Sequence, residues 1–490
     1  MSQALLGFGD ALQPLNIAFI VLGVLMGYVI GVLPGLNRPA ALAIAVPLSY
    51  YMTPLSAVAF LIGIAKASGA GGATTAILIN TPGEPNAAVT CLDGYPMAKA
   101  GKAIKALKVA LYGSVFGDVV GTLALILLAK PLADFALRIG PIEMTTIMLF
   151  ALTLIAALAG SSLLRGLAAG GLGVLLATVG LDLESGTPRL TFGQVELLDG
   201  IPLLAVTIGM LALSEMIIQA EGVLAKRIEP VASLPKSDDN KLGWREFLHV
   251  LPTFAISSGI GTAIGILPLG PTVASFAAYA AAKRLAKPGE EFGKGEIKGV
   301  AAAETADNAV VPASFIPLFA LGLPGSVSAA ILIAALTIHG VIPGPRMFVE
   351  HERLVSGIYG TMLVTAVVML VVGRIGLVGF AQLTRVPATM IIPVVTVLCL
   401  LGAYLESKSL FAVQLTIGFA ILGYLMHRFD YSRITFLIGF VIGPQFELSL
   451  RQSIIISGGD ISVVAQHPLA MGIIAIAIAA GLYFMRSARQ

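Results

Sequence analysis

The chain has 490 residues, 57% of them hydrophobic, and 55 glycines raise the apolar-or-glycine share to roughly two thirds, against about 45–50% in soluble proteins. Charged residues make up 12%, the net charge is +3 and the mean hydropathy is +0.93. These values exclude a soluble globular protein, a disordered chain and a nucleic-acid binder, and they leave a polytopic all-α membrane protein, because the long apolar runs do not alternate as β-barrel strands do.

A crossing needs about 20 apolar residues. In chain order the candidate runs are 17–33, 55–80, 107–129, 142–159, 163–181, 200–219, 247–267, 300–323, 326–342, 355–372, 388–404, 409–426, 433–443 and 469–485. Several are too short or too broken to cross alone, so the expectation is about 12 transmembrane helices with re-entrant or interrupted pieces among them. No Lys or Arg precedes Arg38, so a cleaved signal peptide with a basic n-region is not expected. The charge-rich stretch 226–246 contains Pro230, Pro235 and a Ser-Asp-Asp-Asn cluster, which reads as a linker. The predicted organisation is a first transmembrane repeat at 1–225, a cytoplasmic linker at 226–246, and a second repeat with C-terminal helices at 247–490.

Two kinds of interruption recur. Residues 27–35 read GYVIGVLPG and residues 261–270 read GTAIGILPLG. Later in each half comes a second break, Asn80-Thr81-Pro82-Gly83-Glu84-Pro85 and then Leu323-Pro324-Gly325-Ser326. Pro-Gly inside an apolar run frees backbone groups that must face a cavity, an ion or a substrate. Matched interruptions in two halves point to the binding site of a secondary transporter. Single Pro-Gly pairs also mark ordinary loops between helices; the matching favours the functional reading.

Basic loops swap between the halves. Segment 93–108 carries Lys99, Lys102, Lys105 and Lys108, whereas its counterpart 340–353 carries only Arg346 and Arg353 beside two glutamates. Loop 283–298 carries five Lys or Arg, whereas its counterpart at 50–54 carries none. The positive-inside rule then puts 93–108, 283–298, the linker and the C-terminus in the cytoplasm, and the N-terminus, 50–54 and 340–353 outside. The halves are therefore expected to be inverted repeats, an arrangement that supports alternating access.

With these segments in view, the chain resembles the large membrane subunit of the tripartite tricarboxylate transporter family over nearly its whole length. The matching segments are GVLPGL (31–36), GGATTAILINTPGEPNAAVTCLDGYPMAKAG (71–101), GEIKGVAAAETADNAV (295–310), IPLFALGLPGSVSAAILIAAL (316–336) and IHGVIPGP (338–345). The resemblance implies a bacterial inner-membrane permease. It implies a small membrane subunit and a periplasmic solute-binding protein as partners, a small carboxylate such as citrate as substrate, and an elevator-type movement driven by a cation gradient or the membrane potential. Departures from the family pattern fall at Ala65 and Lys66, where aromatics are usual, at Asn37 and Arg38, where a small residue is usual, and at Asp307, where an amide is usual.

Candidate substrate-binding residues are Gly35, Arg38, Thr81, Pro82, Gly83, Asn86, Pro324, Gly325 and Ser326. Half-helices that begin after the breaks would aim free amides at an anion, and Arg38 could hold a carboxylate in bidentate fashion or extend to the interface instead. Asn80, Asp307 and Asn308 are the candidate ligands of a coupling cation, Na+ or H+, because they offer oxygens in apolar sequence. Caps and interfacial charges are the plainer alternatives for all of these. No cofactor is expected. The five histidines show no metal-ligand spacing, and no Walker, nucleophile-elbow or His-Glu-x-x-His motif occurs, so neither a metal site nor an enzyme is expected. An uncoupled anion channel, or a permease that works without partner subunits, is the alternative. Lys66 and Asp118 each lie mid-run, where a charge costs about 2.5–3.5 kcal/mol. They are expected either to pair or, for Lys66, to line the substrate cavity.

Overall fold

The computed structural model describes the chain except for residues 1–2, 34–35, 159–161, 183–184, 226–240, 268, 384–385, 387 and 488–490. The helices are α1 Gln3–Ala11, α2 Pro14–Val32, α3 Arg38–Ser49, α4 Pro54–Ile79, α5 Ala87–Lys99, α6 Ala103–Ala136, α7 Pro141–Leu158, α8 Leu163–Ala177, α9 Leu203–Thr207 and α10 Ser214–Ala225. They continue with α11 Trp244–Ile266, α12 Gly270–Arg284, α13 Ile297–Ala313, α14 Phe315–Leu321, α15 Val327–Ile338, α16 Met347–Glu350, α17 Glu352–Leu383, α18 Ala388–Ser407, α19 Leu410–Arg428, α20 Arg433–Ile456 and α21 Pro468–Ser487. The only sheet among the described residues is a two-residue antiparallel pair, Gly180–Leu181 with Pro188–Arg189.

Among the described residues, eight helices are long and apolar enough to cross a bilayer, and six more apolar helices are shorter. The protein is thus an all-α, multi-pass membrane protein. The short helices explain why the expected number of crossings exceeds eight. A 12-residue helix such as α3 rises only about 18 Å, against a hydrocarbon core of about 30 Å. It can cross only together with a neighbour on the far side of a break.

The chain forms two compact units. One comprises Met1–Ala133 and Glu215–Leu398, the other Asp134–Ser214 and Cys399–Gln490. In the first unit two helices sit at the centre, α4 and α13, with nearly every residue buried. Glycine stripes explain how neighbours approach them. Gly23, Gly27 and Gly31 recur every four residues on α2, and a Cβ on any of them would run into the α4 backbone at Phe60, Ile64 or Ser68. Gly261 and Gly265 of α11, and Gly117 and Gly121 of α6, press in the same way on α13. Small residues at a four-residue interval put one helix face within backbone contact of another, which is how helices pack where lipid supplies no hydrophobic drive. Helix α17 packs on α2 and α4, so the late part of this unit closes over its early part.

Helix, break and helix occur in the same order twice: α2/α3, α4/α5 and α6, then α11/α12, α13–α14/α15 and α17. Two of these breaks end alike. Helix α4 stops at Asn80 (φ 53°) and α14 at Gly322 (φ 72°), both left-handed. In both, the next amide reaches back six residues, from Thr81 to the Thr75 carbonyl (3.4 Å) and from Leu323 to the Pro317 carbonyl (3.3 Å). Asn and Gly are the residues that tolerate this helix-ending geometry. In the second unit α8 lies on α20 through Gly173 and Gly439, and α7 packs on α20 and α21.

Candidate functional site

Helix α3 starts directly after the first break. Asn37 caps it, its side-chain oxygen accepting from the Ala40 amide at 2.9 Å. Arg38 is then the first helical residue, with its side chain turned into the protein and 2% exposed. The guanidinium lies against Gly69 in the middle of α4, where any Cβ would overlap Nη2. The Ser-Gly-Ala-Gly-Gly run of α4 is therefore a groove for this arginine.

Two carboxylates meet Arg38 from different parts of the chain. Asp307 of α13 accepts from Nη2 at 2.7 Å and is 3% exposed. Glu84, from the tip between α4 and α5, accepts the Arg38 backbone amide at 2.5 Å and lies 3.9 Å from Nε. An acidic group on the first amide of a helix suits both the unpaired N–H and the positive end of the helix dipole. One turn before Asp307, Glu304 is 3% exposed. Its oxygens accept from Thr90 Oγ1 of α5 at 2.5 Å and from Ser114 Oγ of α6 at 3.4 Å. Asn308 Nδ2 donates to Ser114 Oγ at 2.9 Å and to the Glu304 carbonyl at 3.0 Å. Two carboxylates thus reach Arg38, and a third, Glu304, lies one helical turn from Asp307. Arg38 Nε, Asp307 Oδ1 and Asn308 Oδ1 are buried with no hydrogen-bond partner.

The structure brings together only part of the sequence-predicted set. Arg38, Asp307 and Asn308 are at the cluster. Arg38 does not extend to an interface, because its path is into the protein. Gly35 lies outside the described residues. Asn80, Thr81 and Pro82 are exposed at the tip, and Thr81 Oγ1 donates to the Ile79 carbonyl at 3.2 Å. Gly83 rests near Gly72 and the Gly31 carbonyl. Asn86 is buried at the start of α5 without capping it. Pro324 and Gly325 are buried, and Ser326 serves as the cap of α15. Ser326 accepts from the Ala329 amide at 3.1 Å and bonds Ser314 Oγ at 3.1 Å.

Sequence reasoning passed over Glu84, Thr90, Ser114, Glu304 and Gly69. A signal existed for Glu304: it precedes Asp307 by three residues, so the two share a helix face, and a carboxylate in that apolar run is as costly as Asp307. No spacing in the chain indicates that Thr90 and Ser114 converge on it.

Two other polar arrangements in this unit tie separate segments together. Lys66 and Asp118 do pair, with Nζ 2.9 Å from Oδ1 and 3.0 Å from Oδ2, and Nζ also donates to the Met362 carbonyl at 2.9 Å. This joins α4, α6 and α17. Asp93, from the Asp-Gly-Tyr-Pro segment, takes the backbone amides of Gly293, Gly295 and Glu296 at 2.8–2.9 Å on one oxygen and Tyr279 OH at 2.8 Å on the other. It fixes the loop before α13. In that loop Glu290 binds Lys298 Nζ at 2.6 Å. Burial pushes the Glu290 carboxyl up, but the hydrogen bonds from Lys298 and the Lys287 amide outweigh it and hold the group below its usual range.

Among known proteins, the chain is similar to an uncharacterised 52.8 kDa protein of Agrobacterium vitis, encoded in the TAR-I ttuC' 3' region. The two are 37% identical over 483 residues, covering 98% of this chain and 95% of that protein. A second uncharacterised Agrobacterium vitis protein, from the TAR-II ttuC' 3' region, is 36% identical over 220 residues, covering 44% of this chain and 90% of that one. No solved structure matches the chain. The family model described as tripartite tricarboxylate transporter TctA matches residues 17–438. The chain therefore belongs to the tripartite tricarboxylate transporter TctA family.

Proposed function

We propose that the chain is the permease of a three-part uptake system in the bacterial inner membrane. It imports a small organic carboxylate that a periplasmic solute-binding protein delivers, and it works beside a small membrane subunit. Transport is secondary, coupled to Na+ or H+, with alternating access of the elevator type. Family membership supports the class. The observation that carries the substrate chemistry is Arg38, a buried guanidinium beside a helix N-terminus and already reached by two carboxylates. A guanidinium and a helix N-terminus each suit a carboxylate, and here each already holds one. The doubled order of helices and breaks, together with the swap of basic loops, supports two inverted repeats, about 12 crossings, a periplasmic N-terminus and a cytoplasmic C-terminus.

Purified chain in liposomes tests this reading, with labelled citrate, an imposed Na+ or H+ gradient, and the two partners added or withheld. Concentrative uptake that needs both partners and one gradient is the expected result. Gradient-independent flux would make the protein an uncoupled channel, and full uptake by the chain alone would remove the partners. Orientation is tested separately. A cysteine at Thr53 reacts with an impermeant thiol reagent from outside, and one at Ala103 only after the membrane is opened. Labelling of both from one side overturns the inverted arrangement.

A further inference from the structure

The Arg38 cluster is incompletely bonded in an informative way. Arg38 and Asp307 face each other with one contact, Nη2 to Oδ2, although a guanidinium and a carboxylate can make two parallel bonds. Nε on one side and Oδ1 on the other remain unpartnered, and so does the neighbouring Asn308 Oδ1, all on side chains no more than 3% exposed. An orphaned buried polar atom is costly, and three of them together mark a place where other atoms belong. Meanwhile both anion-binding features at the start of α3 are taken by the protein's own carboxylates: the guanidinium by Asp307 and the terminal amide by Glu84.

We propose that Asp307 is an internal stand-in for the substrate's carboxylate at Arg38, and that substrate binding displaces it and frees it to take the coupling cation. This rests on the carboxylate-permease reading above. The incoming carboxylate takes Nη2 and Nε of Arg38. Asp307 is then left with a negative charge in a buried place beside Asn308 Oδ1, and a monovalent cation restores neutrality. Glu84 is the second stand-in, on the helix amide. Coupling follows from the charges: anion without cation leaves Asp307 uncompensated, and cation without anion leaves Arg38 occupied by a carboxylate that cannot leave it.

Two arms test the proposal. In the full reconstituted transporter, Asp307→Asn removes the competitor. The substrate KM is expected to fall on the order of tenfold, because the competent fraction of Arg38 rises, and uptake is expected to lose its dependence on the Na+ or H+ gradient. The gradient that ceases to matter identifies the cation. Unchanged KM and unchanged coupling overturn the proposal. Exchanging the pair, Arg38→Asp with Asp307→Arg, separates a structural role: a bridge that only holds α3 to α13 survives the exchange with transport intact, and that result overturns the proposal as well. The second arm needs no transport. Purified chain is treated with butanedione, an arginine reagent smaller than citrate, and modification of Arg38 is read by peptide mass. Asp307→Asn is expected to make Arg38 react on the order of tenfold faster than in the unmodified chain, through the same rise in accessible fraction. Equal reactivity overturns the stand-in. If this arm succeeds while the unmodified transporter carries no carboxylate, the fault lies in the proposed substrate and not in the displacement of Asp307.

Discussion

Two buried ion pairs in the same unit differ in how completely they are bonded. Lys66 donates to Asp118 Oδ2 at 3.0 Å and to the Met362 carbonyl at 2.9 Å, and its Nζ lies 2.9 Å from Oδ1, which makes no hydrogen bond. Arg38 makes one side-chain bond to Asp307 and leaves Nε and Oδ1 unused. Lys66 rises from the middle of α4 and ties three long helices. Arg38 stands at a helix start beside a break, where Glu84 and Asn37 take the first amides of α3. A cation anchored in mid-helix to two other helices makes a rivet. A cation with an unused donor at a helix start leaves a place that another ion can enter. Burial, charge and an unbonded Oδ1, which Asp118 and Asp307 share, do not distinguish the two pairs; the unused Nε of Arg38 and its place at a helix start do.

The largest expected effect breaks the rivet. Removing one partner of a buried pair costs about 3–5 kcal/mol, because the other charge is left uncompensated. Lys66→Ala and Asp118→Ala are each expected to lower the melting temperature of the purified protein steeply. The double substitution recovers much of that loss and retains transport. If Lys66→Ala alone leaves stability unchanged and weakens substrate affinity, Lys66 belongs to the site and the contrast between the two pairs disappears.

A smaller effect sharpens the contrast at the breaks, whose two glycines meet different surroundings. A Cβ at Gly325 would lie 2.8 Å from the Ser314 carbonyl oxygen and 3.1 Å from Pro317 Cγ, whereas one at Gly83 would lie 3.4 Å from Gly72 Cα. Gly325→Ala is therefore expected to destabilise the fold by about 1–3 kcal/mol through overpacking. Gly83→Ala is expected to fold normally and to alter uptake only through the Glu84 tip beside it. Thermal melting separates them, and equal melting temperatures would show that the two tips are packed alike.

Much of this was legible in the sequence, and the reasons are local. Hydropathy gave the helices, because in lipid every backbone group must be bonded within its own segment. Asn80 and Gly322 ended helices where Pro-Gly followed. A charge in mid-run was readable as a demand for a partner, so Lys66 and Asp118 could be matched before any coordinates. The Arg38 site was legible only by halves. Arg38, Asp307 and Asn308 stand out as costly residues, yet 269 positions separate Arg38 from Asp307, and no periodicity spans that distance. Thr90 and Ser114 are unremarkable hydroxyls in sequence, and Gly69 is one glycine in a glycine-rich helix. Their roles arise from α5, α6 and α13 meeting, which is a tertiary fact. Ser326 shows the converse: its motif suggested an anion site, and its hydroxyl is used to cap α15.

The smallest expected effect lies outside the bilayer segments, in the loop that Asp93 and Glu290 hold before α13. Glu290 accepts from Lys298 at 2.6 Å, and His249 Nε2 lies 3.2 Å away. Because the folded protein holds the Glu290 carboxyl below its ordinary value of 4.5, the folded state binds its proton less readily than the unfolded chain does. Its contribution to stability is therefore complete above pH 4.5 and is lost as the pH falls through the lower folded value. Glu290→Gln removes the charge at every pH. The variant should melt slightly below the unmodified protein at pH 7, by about 1 kcal/mol for one part-buried hydrogen bond, and the two curves should converge in acid. The position of α13, and with it Asp307, depends on the far stronger anchor at Asp93, so substrate affinity should not move. A Glu290→Gln variant with altered KM would show that this loop reaches the Arg38 cluster, and that the difference between rivet and exchange site is controlled from outside it.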